Sequence, residues 1–419
     1  MKLNKSSRNF INLVFVFAFS FGFAENPLLA NLKVDTKTRP EGISYYDTSV
    51  SPYKELNEVL DRVNIGAKNS KFNGTILIGY KGKVIYQNAF GDADRSIGLK
   101  NTLDTPTQVA SITKTFTGTA VAWLQEKGIL NIKDPVQKYL WEFPYSNITI
   151  EHLLAHQSGL PDYLKFSGRY WSSSEPMYND EVLRQFSTYK FGLRFTPGTK
   201  FDYSNSNYAI LALVMEKVTG MAYKDFMSKY VFKPLNMDNT FVYDPNNEPK
   251  FKFAKSYNAN FSIWKNTHQD GVYGDKGIYT TAEDLFKWDQ ALYNNDFVSE
   301  STAEDIFEPR RPWSFTKNYG LGWRIKTYPS GHKYAYHTGW WHGYQGIFAR
   351  YLQDEFTVVI LSNRYISGIS DNSELIYETA AKYLPLTDLN KKIEMPEVET
   401  QQEQVEDITD GIQIVSNFP

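Results

Sequence analysis

SITKTFTGTAVAWLQEKG, residues 111–128, has the strongest helical pattern in the sequence. It predicts a helix over about Ser111–Glu126, because Gly128 is a residue favoured just beyond the last turn of a helix. Residues three apart share one face of a helix, so the Lys114 amine would lie beside the Ser111 hydroxyl. A buried lysine can help to remove the proton of such a serine. Ser111 is therefore a candidate nucleophile.

The Ser-x-x-Lys spacing by itself is weak evidence, because it recurs along the chain. Its occurrences are Ser51/Lys54, Ser111/Lys114, Ser187/Lys190, Ser262/Lys265, Ser314/Lys317 and Ser330/Lys333. Only Ser111 opens a strong helix, whose first-turn N–H groups would stabilise a developing oxyanion. The other pairs lie in turns or at the ends of segments.

Strand patterns occur on both sides of this helix along the chain. Before it, Gly74–Tyr80 and Lys83–Phe90 predict a hairpin that turns at Lys81-Gly82. Helical patterns follow up to about residue 300. The later elements are predicted strands over 320–326, 334–337, 346–352 and 357–361 and a helix over 373–383. This order predicts an α/β sandwich plus an all-α region, with a cleft where the two meet.

The two ends of the chain differ from its body. Residues 1–24 combine three basic residues with a short apolar run and small residues, which is typical of a secretory signal peptide. They predict export to a periplasmic or extracellular location. A retained anchor is the alternative, although the run is short for a membrane span. The acidic segment 391–419 is predicted to be a flexible tail.

The expected organisation is therefore a signal peptide at 1–24, a lead-in at 25–54 and one hydrolase domain at 55–390. Its sheet part would take residues 55–110 and 300–390, and its helical part residues 111–300. The oligomeric state is not readable from the sequence.

Composition narrows the chemistry. The 419 residues include no cysteine and six histidines, with a formal net charge of -2. Thiol nucleophiles, disulfides and thiolate metal sites are excluded, and no basic excess favours nucleic acid. His152 and His156 have the spacing of half a zinc site, but Leu153 stands where a metalloprotease would carry its glutamate. Structural roles are predicted for both histidines.

Three short motifs follow in order, namely Ser111-Ile-Thr-Lys114, Tyr203-Ser-Asn205 and His337-Thr-Gly339. They resemble the serine β-lactamase and penicillin-binding-protein superfamily, in particular its class C β-lactamase-like branch. The flanking segments that match the same pattern are 152–162, 196–205 and 337–344. The resemblance covers about residues 55–385. It implies a β-lactamase/transpeptidase-like fold, in which an antiparallel sheet flanked by helices carries a helical insertion, with the active-site cleft between.

The resemblance also implies catalytic roles. Ser111 would be the acylated nucleophile, and Lys114 and Tyr203 would share the proton transfers. Asn205 would orient Lys114 or hold the substrate amide. No metal or organic cofactor is implied.

The third motif would bind substrate. By the same resemblance, His337, Thr338 and Gly339 would lie on an edge strand along which substrate adds by backbone hydrogen bonds. The backbone N–H groups of Ser111 and Trp340 would form the oxyanion hole.

Departures from the family pattern leave the substrate open. His337 replaces a lysine and, with an unperturbed pKa of roughly 6.5, would be mostly neutral at pH 7. Recognition of a substrate carboxylate is therefore in doubt. Trp340, Trp341 and Tyr344 would form an aromatic rim suited to apolar, sugar-bearing or peptide substrates.

The expected activity is that of a secreted serine hydrolase cleaving D-amino-acid peptides, small esters or amides, or β-lactam-like substrates. The alternative is a non-catalytic module that binds cell-wall peptide or penicillin in the same cleft.

Overall fold

A computed structural model of the protein describes residues 25–30, 43–69, 72–311, 317–365, 369 and 371–392. The predicted signal segment 1–24 and residues 393–419 of the predicted acidic tail lie outside this part of the chain. None of the helices described is long and apolar enough to cross a membrane.

Helices and strands alternate in blocks, as the sequence predicts. The helices are α1 (Pro27–Ala30), α2 (Tyr53–Asn69), α3 (Thr113–Glu126), α4 (Ile150–Leu154), α5 (Tyr163–Tyr170), α6 (Asn179–Tyr189), α7 (Asn205–Thr219), α8 (Tyr223–Met227), α9 (Ala282–Tyr293), α10 (Glu300–Ile306) and α11 (Asp371–Ala380). The strands are β1 (Ser44–Tyr45), β2 (Gly74–Tyr80), β3 (Lys83–Phe90), β4 (Asp92–Asp94), β5 (Leu99–Lys100), β6 (Thr107–Gln108), β7 (Phe241–Val242), β8 (Ile278–Thr280), β9 (Lys317–Tyr319), β10 (Arg324–Thr327), β11 (Lys333–Trp341), β12 (Tyr344–Tyr351) and β13 (Phe356–Ser362).

The main sheet is assembled from both ends of the chain. Its strand order is β1-β3-β2-β13-β12-β11-β10-β9. Neighbouring strands are antiparallel except β1, which runs parallel to β3 and comes from the segment predicted as a lead-in. The central strands β2 and β13 are buried along their whole length, because helices cover both faces of the sheet. The predicted architecture is confirmed, and the sheet is mixed at this one edge.

Each face of the sheet has its own apolar core. Successive side chains of a strand point to opposite faces of the sheet. On one face, Leu77 and Val359 pack with α3, α7 and α9 in the larger core. On the opposite face, Ile78 and Val358 pack with helices α2 and α11 in a second core. The helical region between α3 and α10 therefore lies on one face only, and the cleft forms where it meets the strands.

Three local features differ from the sequence prediction. Helices α2, α5 and α10 have no predicted counterpart. Helices α5 and α10 were missed because eight and seven residues are too few to establish a 3.6-residue period. Helix α2, with 17 residues, is long enough, but it begins inside the segment predicted as a lead-in. The strands β6, β7 and β8 form a small separate sheet of two- and three-residue strands. Ser111 lies in a 3₁₀ turn, Ala110–Ile112, that precedes α3 instead of in its first α-helical turn.

Two glycines bring α3 against the loop that leads into β10. A Cβ atom on Gly118 would lie 2.5 Å from the Leu321 carbonyl oxygen, and one on Gly322 would lie 2.4 Å from the Lys114 carbonyl oxygen. Gly322 also has a φ of +90°, which favours glycine. The helix that carries Lys114 and the sheet are thus in backbone contact.

Gly118→Ala tests this close packing. In an exposed helix the change would stabilise by about 1 kcal/mol, because alanine has the higher helix propensity. Here we expect the free energy of unfolding to fall by about 1–3 kcal/mol, since the added methyl group meets backbone atoms. Chemical denaturation measures the difference. Gly192→Ala is the matched control, because its methyl group would meet no neighbouring part of the chain within 4 Å. Equal stability of the two variants would contradict the packing argument.

Candidate active site

The Lys114 amine is the centre of the site. Its side chain is completely buried. Nζ lies 3.0 Å from Ser111 Oγ, 2.8 Å from Asn205 Oδ1 and 2.7 Å from the Asp275 carbonyl oxygen. A neutral amine has two N–H bonds and one lone pair. In the protonated amine all three oxygens accept from Nζ. In the neutral amine, with Asn205 and Asp275 accepting the two N–H bonds, the lone pair would be directed at the Ser111 hydroxyl, which is the geometry that a general base needs.

The turn that carries Ser111 depends on an unusual backbone conformation. Ala110 has a φ of +48°, in the left-handed region that residues other than glycine seldom adopt. This turn redirects the chain from β6 into α3 and leaves Ser111 half-exposed at the base of the cleft. Backbone strain of this kind is often found at functional sites.

Asn205 links the lysine to a buried carboxylate. Its Oδ1 accepts from Lys114, and its Nδ2 donates to Asp162 Oδ2 at 2.9 Å. Asp162 caps the N-terminus of α5, and burial raises its pKa. The amide of Asn205 is thereby fixed with its oxygen towards the amine, which is one of the two roles that the family resemblance implies.

Tyr203 completes the group of residues around the lysine. Lys114 Nζ lies 5.1 Å from the centroid of its ring. The Tyr203 hydroxyl is buried and has no hydrogen-bond partner among the residues that the structure describes. A buried hydroxyl without a partner is uncommon in folded proteins. In this cleft it is free to bond to a reacting group.

His156 supports Tyr203 from behind. The two rings lie 4.2 Å apart between centroids. His156 Nδ1 accepts from the Ser204 backbone N–H at 3.2 Å and from Asn207 Nδ2 at 2.9 Å. Burial, together with the nearby Lys114 charge, holds the pKa of His156 well below its usual value. His152 caps its own helix by accepting from the Thr149 N–H. Both histidines thus have the predicted structural roles.

The strand β11 supplies the opposite wall. It pairs with β10 only from Lys333 to Tyr336, so residues 337–341 have an edge that β10 does not reach. A Cβ atom on Gly339 would lie 2.1 Å from the Val109 carbonyl oxygen. Only glycine therefore lets the strand pass this close to the turn that presents Ser111. The structure brings the His337–Trp340 segment together with the Ser111–Lys114 turn.

His337 is buried and neutral. Its Nδ1 donates to the Thr338 carbonyl oxygen at 2.7 Å, so its Nε2 accepts from the Tyr319 hydroxyl at 3.0 Å. Burial, with Arg324 and then Lys114 nearby, keeps its pKa well below the usual value. The side chain that replaces the family lysine thus carries no positive charge.

The aromatic rim is smaller than the sequence suggests. Trp340 is 62% exposed at the end of the strand. Trp341 is half-buried, with Nε1 donating to Asp270 Oδ1 at 2.7 Å. Tyr344 is buried and its hydroxyl donates to the Ala254 carbonyl oxygen. The prediction for Tyr344 was therefore wrong, because its side chain belongs to a small aromatic core. Thr338 is half-buried beside them.

Arg324 is a site residue that the sequence reasoning missed. It begins β10, opposite Tyr336 in β11. Its guanidinium carbon lies 5.2 Å from the centroid of the Tyr203 ring, and its Nε has no hydrogen-bond partner in the described part of the chain. No local motif marks this arginine. Only the pairing of β10 with β11 places this cation beside Tyr203.

The residues described contain no group of three or more histidine, aspartate or glutamate side chains suited to a metal ion. The geometry around Lys114 brings together a hydroxyl, an amine and a phenol, with an arginine at the side.

Comparisons with known proteins identify the family. The family model described as Beta-lactamase matches residues 66–380. Penicillin-binding protein 4* of Bacillus subtilis is 33% identical over 72% of this chain and 70% of its own. Teichoic acid D-alanine hydrolase of Staphylococcus aureus is 28% identical over 76% of this chain and 75% of its own. A penicillin-binding protein from Bacillus halodurans superposes with a TM-score of 0.68 at 28% identity, covering 75% of this chain and 98% of its own.

The matched region includes the whole sheet from β2 to β13 and every residue of the site described above. The chain therefore belongs to the beta-lactamase family, within the superfamily of serine hydrolases that also contains the penicillin-binding proteins.

Proposed function

We propose that this protein hydrolyses D-amino-acyl ester or amide bonds through an acyl-enzyme on Ser111. The observation that carries the proposal is the placement of the buried Lys114 amine 3.0 Å from Ser111 Oγ, with its other two acceptors fixed. A binding module would have no need of a buried lysine directed at a hydroxyl, because burying an amine costs free energy.

The proposed reaction has two steps. Lys114 takes the proton of the Ser111 hydroxyl as Oγ attacks the acyl carbon, and the Tyr203 hydroxyl gives a proton to the departing nitrogen or oxygen. The Oγ–acyl bond forms as the bond to the leaving group breaks. Lys114 then returns its proton to the Tyr203 phenolate. Water attacks the acyl carbon and gives a proton to Lys114, and Lys114 passes this proton to Ser111 Oγ as the bond between Oγ and the acyl carbon breaks. Backbone N–H groups at Ser111 and Trp340 are proposed to stabilise the oxyanion.

Two observations support a D-amino-acyl substrate. One relative is named as a hydrolase of teichoic acid D-alanine and another as a penicillin-binding protein. In this chain the open edge of β11 suits an extended substrate backbone. Arg324 supplies the positive charge that His337 lacks. A second arginine, Arg311, lies nearby: burial lowers its pKa, and the charge of Arg324 lowers it further. A substrate carboxylate would bind there through charge-assisted hydrogen bonds.

We also propose that the protein is exported. The observation behind this is the basic and apolar composition of residues 1–24. Deletion of residues 2–24 should leave the protein in the cytoplasm of a Gram-negative host, whereas the full chain should be found outside it. Cell fractionation followed by intact mass measures both location and cleavage. Cytoplasmic retention of the full chain would contradict export.

Ser111 and Lys114 can be tested with an acyl or phosphonyl probe. Ser111→Ala should abolish labelling by a fluorophosphonate, and Lys114→Ala should slow acylation by at least about 10²-fold, the usual contribution of a general base. Intact mass spectrometry with time measures the adduct. Ser187→Ala and Lys54→Ala, which come from other copies of the Ser-x-x-Lys spacing, are the matched controls. Normal acylation of Lys114→Ala would refute the assigned role. Stoichiometric labelling by penicillin with no turnover of any ester or amide would favour a binding module.

Arg324→Met tests recognition of the carboxylate. The change keeps the apolar stem and removes the charge. We expect kcat/KM for a D-alanyl-D-alanine peptide to fall about 10- to 100-fold, since a hydrogen bond to a charged group contributes about 1.5–3 kcal/mol. A neutral p-nitrophenyl ester should lose much less. Arg184→Met removes an arginine from a surface pair with Glu181 and is the control. Equal losses for the peptide and the ester would show that Arg324 does not read the carboxylate.

A further inference from the structure

Behind Lys114 lies a buried group of charges that the proposed reaction does not use. It consists of two pairs of consecutive residues, Asp162-Tyr163 and Asp275-Lys276, which we call the acid–lysine clamp. All four side chains are at most 8% exposed. Because charged groups are seldom buried without a partner or a function, this group calls for a physical account.

Each pair holds one of the two fixed acceptors of Lys114. Asp162 Oδ2 accepts from Asn205 Nδ2 at 2.9 Å, and Asn205 Oδ1 in turn accepts from Lys114. The Asp275 backbone oxygen accepts from Lys114 at 2.7 Å, while the Asp275 side chain accepts from the Tyr163 hydroxyl. The two acceptors that orient the amine are therefore themselves held by the clamp.

The Tyr163 hydroxyl links the two pairs by hydrogen bonds to both Asp275 and Lys276. The Tyr163 hydroxyl donates to Asp275 Oδ2 at 2.9 Å and accepts from Lys276 Nζ at 2.5 Å. Lys276 Nζ also donates to the Val272 carbonyl oxygen at 3.2 Å and lies 3.7 Å from Asp275 Oδ1. The indole of Trp341 covers the ammonium group at 4.8 Å from its ring centroid. Lys276 is thus sealed from the cleft by the residue that ends β11.

Lys276 and Lys114 are close enough to repel each other, since the Lys114 charge is among the causes that lower the pKa of Lys276. Burial lowers the pKa of Lys276, and the nearby Asp275 and Asp270 carboxylates partly offset this by raising it. The titratable and charged groups that face Lys114 from all the elements packed around it are Asp162, Tyr163, Asp275, Lys276, Tyr203, Tyr208, His156, His337 and Arg324.

We propose that the clamp is a positioning device for the general base, in which the Lys276 ammonium group repels a positive charge on Lys114 and Asp162 and Asp275 hold the acceptors of Lys114 in place. This inference rests on the proposed function, since it assigns Lys114 the role of base. Apart from the Asp275 backbone oxygen, which accepts from Lys114 Nζ, the four residues make no hydrogen bond to Lys114 or Ser111. They act through the orientation and the protonation of Lys114.

The two charges of the Asp275-Lys276 pair act on the Lys114 amine in opposite directions. A neighbouring cation disfavours a second positive charge, so Lys276 makes the neutral, basic form of Lys114 easier to reach. A neighbouring carboxylate favours the protonated form. Loss of the Lys276 charge should therefore raise the pH at which Ser111 becomes reactive, and loss of the Asp275 charge should lower it.

The test is the pH profile of Ser111 labelling by a fluorophosphonate in the full chain. In Lys276→Met the acidic limb should move to higher pH by at least about half a unit, and in Asp275→Asn it should move to lower pH by a similar amount. Both variants should also lose thermal stability, because each leaves a buried partner unpaired. General structural damage would slow labelling at every pH, but it would not move the limb in opposite directions.

Lys287→Met is the matched control, because Lys287 pairs with the buried Asp284 at 2.7 Å on α9, outside the clamp. It should lose stability and keep the wild-type limb. Limbs that stay fixed in both clamp variants, or that move in the same direction, would overturn the clamp and leave the proposed function standing. A wild-type protein that is not labelled at all would overturn the acyl-enzyme mechanism, and the clamp with it.

Discussion

The contact of the Lys114 amine with three acceptors is the constraint on which the rest of the structure depends. The acceptors come from places far apart in the chain, at Ser111, Asn205 and Asp275. Bringing them to one nitrogen requires that the start of α3, the start of α7 and the segment before β8 meet at one point. A buried amine without these partners would be strongly unfavourable. The helical region therefore has to close around the lysine for the fold to be stable, so that the same contacts serve both stability and chemistry.

Much of the fold could be predicted from local pattern. The hairpin of β2 and β3 follows from two apolar runs around Lys81-Gly82, and α9 follows from its cap and its apolar period. Elements too short to establish a period were missed, as α5 and β6 illustrate. The turn at Ala110 could not be foreseen either, because its left-handed conformation is imposed by the surrounding packing and not by the residue type.

The residues of the site also fall into those that could be predicted from the sequence and those that could not. Residues within motifs, such as Ser111 and Tyr203, could be named because their order along the chain is characteristic. Arg324 could not, since its position depends on the pairing of β10 with β11. The substitution of lysine by His337 looked like the loss of a cation. In the folded protein the histidine is neutral and bonded to Tyr319, and the positive charge is supplied by the neighbouring strand. A positive charge thus lies beside Tyr203, on a residue of the neighbouring strand and not on the third motif.

The short pairing of β10 with β11 has a consequence for the size of what can be bound. The pairing ends at Tyr336, and β11 ends at Trp341, before the tight turn into β12. Four steps along an extended strand, from residue 337 to residue 341, cover about 13 Å. The open edge thus limits the length that can be bound: a substrate backbone of up to about four residues can align with it, and a longer chain has to bend away at the turn, past the exposed Trp340. Under the proposed function, an edge of this length is sufficient for the end of a long polymer, and the polymer itself would not have to be enclosed.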